Sequence, residues 1–283
     1  MKDFTDRVAA ITGAGSSIGR ALSVELAGRG CHLSLCDIDE AGLATTAHLA
    51  ERAGPVRVFR AAVDVADRPA VEGWARAVVA EHGSVNLIVN NAGVSLTASI
   101  DAMTIESFQW LMDINFWGVV YGTKAFLPHL KASGEGHVVN VSSVFGLLGI
   151  PTQSAYNAAK FAVRGFTEAL RTELDLDDCG VSATSIHPGG IKTDIVRRGR
   201  IEGEVPAAEI DREEAAREFE RLARTTPERA AALIVRAIEK DKRRAMIGPD
   251  SHVFDLAARL PPSAYQWALR AAGRRAEGRF DGG

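Results

Sequence analysis

Tyr156 and Lys160 lie four residues apart, and Ser143 lies thirteen residues upstream of the tyrosine. On a helix, residues four apart share a face, so the ammonium of Lys160 would sit close to the phenol of Tyr156. A free phenol titrates near ~10, and a neighbouring cation favours the phenolate, which would move the tyrosine toward general acid/base work near neutral pH. Ser143 adds a hydroxyl able to hydrogen-bond a carbonyl or alcohol oxygen and hold it within reach of the tyrosine. The chemistry is proton transfer to or from an oxygen. Taken alone, Tyr-x-x-x-Lys is also what a half-buried aromatic beside a solvated lysine produces, so the reading needs a second element.

The N-terminal run supplies one. From Arg7 an apolar segment, Val-Ala-Ala-Ile-Thr, enters Gly13-Ala-Gly15-Ser-Ser17-Ile18-Gly19 and then a helical pattern from Arg20 to Arg29. Strand, glycine turn and helix form a phosphate-binding unit: the glycines permit positive φ and close backbone approach, and the helix N-terminus offers unpaired N–H groups to a pyrophosphate. An ordinary strand-to-helix turn is the alternative. A second apolar segment, Cys31 to Asp37, ends in an acid 18 residues after Gly19, where a carboxylate would accept hydrogen bonds from a ribose.

With these elements in order, residues 5 to about 250 resemble the short-chain dehydrogenase/reductase family, of the type built essentially from one Rossmann domain. The resemblance implies that Gly13, Gly15, Ser17, Ile18 and Gly19 form the phosphate turn, that Asp64 and Val65 border the adenine ring, and that Asn91, Ala92 and Gly93 lie beside the cofactor. It implies Asn115, Ser143, Tyr156 and Lys160 as the catalytic four, with Asn115 holding a water in a proton relay and Tyr156 and Lys160 also touching the cofactor. Pro188, Gly189 and Thr193 would meet the nicotinamide end. One position departs from the family: Ser17 stands where the turn usually has glycine, so its side chain either hydrogen-bonds a phosphate or crowds the turn. Asp37 is followed by Ile38 and Asp39 with no Arg or Lys, and Arg20 is the only nearby base in sequence. A 2′-phosphate would meet negative charge, so the expected cofactor is NAD rather than NADP.

The elements that position these residues follow from patterning. Apolar segments are expected as strands near 7–12, 31–37, 56–62, 85–90, 136–142, 181–187 and 244–248, with helices between them. Strands such as Val85-Asn-Leu-Ile-Val and His137-Val-Val-Asn-Val lack polar alternation, as when both faces of a parallel sheet are covered. The fold class expected is α/β, a doubly wound parallel seven-stranded Rossmann sheet in the family's order 3-2-1-4-5-6-7 with helices on both faces. Residues 1–250 would form one dinucleotide-binding and catalytic domain, with a charged segment at about 194–226 as a substrate lid or a surface helix, and 251–283 as a C-terminal extension. That extension would pack on its own subunit, cap a neighbour's pocket or rest at a membrane interface, in that order of preference, because Pro261-Pro262 breaks any long amphipathic face.

Two long helices, about 104–131 and 153–177, carry more large apolar groups than one core-facing stripe needs, among them Met103, Phe108, Trp110, Phe116 and Trp117. Either they line a thick core or, as the resemblance implies and as we favour, they bury the excess in a homodimer or homotetramer.

Composition excludes other classes. With 46% hydrophobic and 24% charged residues, the 283-residue chain has ordinary globular composition, and a net charge of −3 gives no basic excess for nucleic acid. Cys31, Cys36 and Cys179 lack metal spacing and read as free thiols, so no metal is expected. No segment reads as a signal sequence or a membrane span, which points to a cytoplasmic protein without membrane contact. The segments expected at the substrate, Val94-Ser-Leu-Thr97, Val144-Phe-Gly-Leu-Leu-Gly-Ile150 and Ile195-Val196, are mostly apolar and hold no arginine clamp, which suits a lipophilic secondary alcohol or ketone. The expected activity is hydride transfer between NAD(H) and such a substrate. A 3-oxoacyl thioester reductase and a non-catalytic dinucleotide-binding sensor are the alternatives; no basic docking patch supports the first, and the intact catalytic four opposes the second.

Overall fold

In the computed structural model, residues 1–203, 213, 217, 221, 223–259, 264–267 and 269–270 are described. Seven strands form the main sheet: β1 (Val8–Thr12), β2 (His32–Asp37), β3 (Val58–Ala62), β4 (Leu87–Asn90), β6 (Gly136–Val141), β7 (Val181–Pro188) and β9 (Arg244–Ile247). All pair in parallel, in the order β3-β2-β1-β4-β6-β7-β9, which is the expected 3-2-1-4-5-6-7 when only these seven are counted. Every residue of β1, β4 and β6 is buried, which explains why they lack polar alternation, whereas edge strand β3 is only partly covered.

The helices are α1 (Ser17–Ala27), α2 (Glu40–Ala53), α3 (Arg68–His82), α4 (Ile105–Met112), α5 (Gly118–Ala132), α6 (Ser154–Asp177), α7 (Pro227–Glu239) and α8 (Pro249–Ala258). Local chemistry starts and stops them: the Asp39 and Asp67 side chains accept from Gly42 N and Ala70 N at the starts of α2 and α3, and Gly83, at φ 83°, ends α3. On one face of the sheet Leu22, Leu26, Leu43, Ile234 and Ile238 of α1, α2 and α7 form a core. On the other, Trp74, Val78, Phe126, Leu130, Leu170 and Leu174 of α3, α5 and α6 form a second, with Trp74 Nε1 donating to Ser34 Oγ at 2.9 Å.

The helix expected at about 104–131 is interrupted. Between α4 and α5 the chain makes a π-helical turn over Asp113–Trp117. Much of its apolar excess is absorbed inside the molecule: Met103, Phe108, Trp110 and Phe116 pack against a third cluster built on Leu96, Leu111, Ala155 and Ala159. Trp117 and Phe161 stay exposed at 43% and 42%, so the surface left for an assembly is smaller than the sequence suggests.

Patterning also missed a small parallel pair, β5 (Leu96–Ala98) with β8 (Arg200–Glu202). Three-residue strands give too little periodicity to read. This pair is held from the side: the Glu202 carboxylate accepts from Thr104 N at 2.9 Å and from Ser107 Oγ, and the Arg200 guanidinium lies 3.8 Å from the centre of the Trp110 ring. Of the expected lid, 194–203, 213, 217, 221 and 223–226 are described and the rest lies outside the described residues. In the C-terminal extension, 264–267 are helical and Gly149 N donates to the Tyr265 hydroxyl at 3.4 Å; 260–263, 268 and 271–283 lie outside the described residues.

Candidate active site

The site lies along the carboxyl ends of the parallel strands, where open α/β sheets bind ligands. One wall is the turn after β1. Gly13 takes φ 65°, and Gly19 has no room for a side chain, since a Cβ there would lie 2.1 Å from Gly13 O and 2.8 Å from Asn91 Nδ2. Of the three glycines expected to permit positive φ, only Gly13 uses it; Gly15 and Gly19 serve close approach. The remaining left-handed position is Ser17, at φ 50°, where the sequence departs from the family's glycine. The serine has adopted the backbone that the missing glycine would take without strain.

Ser16 begins α1 with an extended backbone and no side-chain cap, so the first-turn N–H groups lack a side-chain acceptor. A diphosphate fits that chemistry, because helix N-termini attract anions. Asp37 ends β2; its Oδ2 accepts from Gly15 N at 2.8 Å and its Oδ1 from Asp39 N at 3.1 Å, which fixes the carboxylate beside the turn. These residues fit a dinucleotide. Asp64 is exposed, its Oδ1 accepting from Ala66 N at 2.9 Å, and Val65 is buried. Ile18 packs on the first core and Ala92 on the second. Asn91 is tied to the turn, its Nδ2 donating to Thr12 O at 3.0 Å while Thr12 Oγ1 accepts from both Asn91 N and Ala92 N.

The second wall is β6, the loop after it, and α6. Ser143 starts a short 3-10 turn, its Oγ accepting from Phe145 N at 3.1 Å. Tyr156, on the first turns of α6, meets the Phe145 ring edge-on with centroids 6.1 Å apart. Lys160 follows one turn later, 3% exposed, its Nζ donating to Val141 O at 2.9 Å and lying 5.5 Å from the centre of the Tyr156 ring. The expected three are thus brought together. Their electrostatics reverse one expectation: burial pushes the Tyr156 phenol up to about 12, with the Ser143 hydroxyl pulling it back in part, and burial pushes Lys160 down to about 8. Desolvation penalises both charged forms, and in the protein alone it outweighs the attraction that was expected to acidify the tyrosine.

Asn115 faces this wall across Gly93. It sits inside the π turn, fully buried, and its amide is spent on one neighbour: Val94 N donates to Oδ1 and Nδ2 donates to Val94 O, both at 2.8 Å. Gly93 lies between this amide and the lysine, since a Cβ there would sit 3.2 Å from Asn115 Oδ1 and 3.6 Å from Lys160 Nζ. The side chain pins the 93–94 backbone. Single π turns of this kind recur at functional sites.

At the far end Pro188 closes β7, and Gly189 N donates to Ile247 O at 3.0 Å; a Cβ on Gly189 would meet the Asp250 carboxylate at 2.2 Å. Thr193, with Ser17, Arg20 and Asp194, lines a cleft of about 730 Å³ against α1.

Sequence reasoning missed two supports of the catalytic wall. Asn157, next to Tyr156 and buried, donates from Nδ2 to Phe145 O at 2.7 Å and Leu148 O at 2.8 Å, while its Oδ1 accepts from Ile150 N at 3.0 Å. His187 places Nδ1 3.0 Å from Ser143 O and Nε2 3.0 Å from Ser185 Oγ, and burial depresses its pKa to about 4. An asparagine in a helix interior is a signal only when something says what its amide bonds to.

This architecture is that of a Rossmann oxidoreductase with a Ser, Tyr and Lys site. The pattern of the short chain dehydrogenase family matches residues 7–202, within the 5 to about 250 suggested by motifs alone. A Mycobacterium tuberculosis protein named as oxidoreductase SadH is 47% identical over 275 residues, spanning 96% of this chain and 97% of its own. Levodione reductase of Leifsonia aquatica is 37% identical over 195 residues, 68% of this chain and 72% of its own. The crystal structure of a short-chain dehydrogenase/reductase from Burkholderia phymatum in complex with NAD superposes with a TM-score of 0.81 at 29% identity, covering 95% of this chain and 97% of that one. The chain belongs to the short-chain dehydrogenase/reductase family and is an oxidoreductase.

Proposed function

We propose that the protein transfers a hydride between NAD(H) and a lipophilic secondary alcohol or ketone, with Tyr156 as the acid/base. The observation that carries this reading is the convergence of Tyr156, Lys160 and Ser143 at one end of a groove whose other end is the Gly13–Gly19 turn and Asp37. When bound, NAD supplies or accepts the hydride, and its oxidised form adds a positive charge to the site.

In the direction of ketone reduction, Ser143 Oγ and the Tyr156 hydroxyl hydrogen-bond the carbonyl oxygen. Tyr156 then gives that oxygen its proton as hydride reaches the carbon, leaving an alcohol and a phenolate that takes a proton back from solvent. In oxidation the same proton moves from the alcohol to the phenolate as hydride leaves the carbon. A phenol pushed up to about 12 is protonated at neutral pH and therefore poised as an acid. Lys160 steadies the phenolate as it forms and reaches the nicotinamide-side ribose, while Asn115 keeps the backbone at Gly93 and Val94 in place. The roles of Asp37 on the adenosine ribose, of Ser17, Ile18 and Gly19 at the phosphates, of Asp64 and Val65 at the adenine, and of Pro188, Gly189 and Thr193 at the nicotinamide complete the reading. NAD in the Burkholderia relative and the ketone reductase activity in the Leifsonia relative's name support it.

Phe145, whose ring meets Tyr156, and Val94, packed on the same apolar cluster as the tyrosine, supply apolar groups there, and the 144–150 loop carries no arginine clamp, which favours a lipophilic substrate. Trp117, on the π turn, and Phe161, on α6, remain exposed, and we read them as contacts of a homo-oligomer. The deciding experiment is a panel of secondary alcohols and ketones with NAD(H) and NADP(H), followed by reduced-cofactor absorbance. Turnover preferring NAD is expected; tight NADH binding with no turnover on any member would favour a sensor instead.

The protonation states predict opposite pH profiles for the two directions. Ketone reduction needs the protonated phenol and the Lys160 ammonium, so it stays level from pH 6 to about 7 and falls as Lys160 loses its proton near 8, whereas alcohol oxidation needs the phenolate and climbs from pH 6 toward 8. Initial rates in both directions against pH test this; oxidation that is level or falling would remove Tyr156 as the base.

A further inference from the structure

The segment after Thr193 crosses from one wall of the groove to the other. Its start lies beside Ser17 and α1 through Thr193 and Asp194. On the catalytic side it is pinned to Ser95: Ser95 Oγ donates to Ile195 O at 2.8 Å, Arg200 N donates to Ser95 O at 3.0 Å, and β8 continues by pairing with β5. Between these anchors a turn, with Arg198 N donating to Asp194 O, carries the Arg198 guanidinium to the opposite wall, where Nη2 lies 3.6 Å from Asp39 Oδ2. Asp39 is two residues beyond Asp37 and caps α2 through its other oxygen.

The two anchors differ in kind. The Ser95 side is a set of short, directional bonds continued by strand pairing and by the Glu202 and Arg200 contacts, whereas the Asp39 side is one ion pair between two half-exposed groups. An exposed pair is the weaker and more salt-sensitive of the two. We propose that Arg198 and Asp39 form a releasable latch: the strap at 194–199 hinges at Ser95 and β8, and the pair holds it across the groove so that a bound dinucleotide leaves only after the pair opens. This rests on the dinucleotide reading of the groove, and makes Arg198 a positioning residue that no local pattern around Asp37 could show, since it lies 161 positions further along the chain.

The test is NADH dissociation, followed by stopped-flow fluorescence on displacement with excess NAD, in wild type, Arg198→Ala, Asp39→Asn and the double variant. Asparagine keeps the α2 cap and removes only the charge. Each single change should speed dissociation about threefold, the double variant should be no faster than either single one, and Arg198→Lys should recover part of the loss. Without any nucleotide, amide exchange at 195–199 should quicken in both single variants and that at 96–98 should not. If Asp39→Asn leaves dissociation unchanged or slows it while Arg198→Ala speeds it, Arg198 contacts the nucleotide directly and the latch is wrong; additive effects, or none, overturn it as well. Failure of wild type to bind NADH would instead overturn the dinucleotide reading, and amide exchange would still decide the latch.

Discussion

The two walls of the groove are held by different means. On the catalytic wall, side chains fix the backbone that carries the reacting groups: Asn157 spends three hydrogen bonds on the 145–150 loop, Lys160 reaches Val141 O, His187 reaches Ser143 O and Asn115 locks Val94. On the nucleotide wall the backbone itself is the device, shaped by Gly13, by the absent side chain of Gly19 and by the left-handed Ser17, with Asp37 as its main side-chain contributor. The difference suits the tasks. Proton transfer requires atoms placed to fractions of an ångström, whereas a diphosphate is met by several N–H groups sharing one charge. Changes on the first wall should therefore lower kcat, and changes on the second should weaken nucleotide binding.

The sharpest test of that division is Tyr156→Phe. The ring and its contact with Phe145 survive and the transferable proton is lost, so turnover should fall by about 100-fold or more while NADH affinity stays within a few-fold. Steady-state kinetics with NADH titration by fluorescence measure both. Retention of a tenth of the activity would remove Tyr156 as the acid/base.

Asp37→Ala should do the reverse. On the proposed role of Asp37 as acceptor of the ribose hydroxyls, losing its carboxylate should cost about 1–3 kcal/mol of NAD affinity and relax discrimination against NADP, with kcat little changed. The ratio of kcat/KM for the two cofactors checks it; an unchanged ratio would mean that Asp37 does not read the ribose.

Asn157→Ala probes the support rather than the chemistry. It strands two carbonyls and one N–H, and leaving buried groups unpaired costs about 1–3 kcal/mol each before water or relaxation offsets part of it. The expected outcome is a lower melting temperature together with a kcat reduced about tenfold and an NADH affinity unchanged. Equal losses of NADH binding and kcat would show only general unfolding.

These expectations also mark what the sequence made legible. The seven strands were readable because strands such as β1, β4 and β6 are buried on both faces and lack polar alternation, while their order came from the family resemblance. The gathering of Ser143, Tyr156 and Lys160 was readable because spacing and order carried it. Less legible were contacts that join distant segments: Asn157 to the 145–150 loop, His187 to Ser143 O, and Arg198 to Asp39. A sequence shows a residue's type and neighbours, and a side-chain-to-backbone bond leaves no periodic trace. The direction of the Tyr156 shift was misjudged for a related reason, since the cation is visible in the sequence while the desolvation that outweighs it is not.

The smallest expected effect, and the one that tests how a backbone-built wall tolerates a side chain, belongs to Ser17. At φ 50° a serine bears a left-handed cost of about 1–2 kcal/mol that glycine avoids, while glycine gives up about 0.5–1 kcal/mol through the greater entropy of its unfolded chain. Ser17→Gly should therefore stabilise the protein by about 0–1.5 kcal/mol, read as an equal or slightly raised midpoint in urea at constant slope. Nucleotide binding then decides what the hydroxyl does. The first turn of α1 lacks a side-chain acceptor, so a phosphate bound there has N–H donors to meet with or without the serine. If the hydroxyl merely occupies space, NADH affinity is unchanged or improves. If it donates to a phosphate, its loss costs on the order of 1 kcal/mol, about a fivefold weaker Kd, because a hydrogen bond to a charged partner is at stake. With the diphosphate already served by backbone N–H groups, we expect the first outcome, a glycine variant more stable and no weaker in binding; a fivefold loss would show that this wall has recruited a side chain after all.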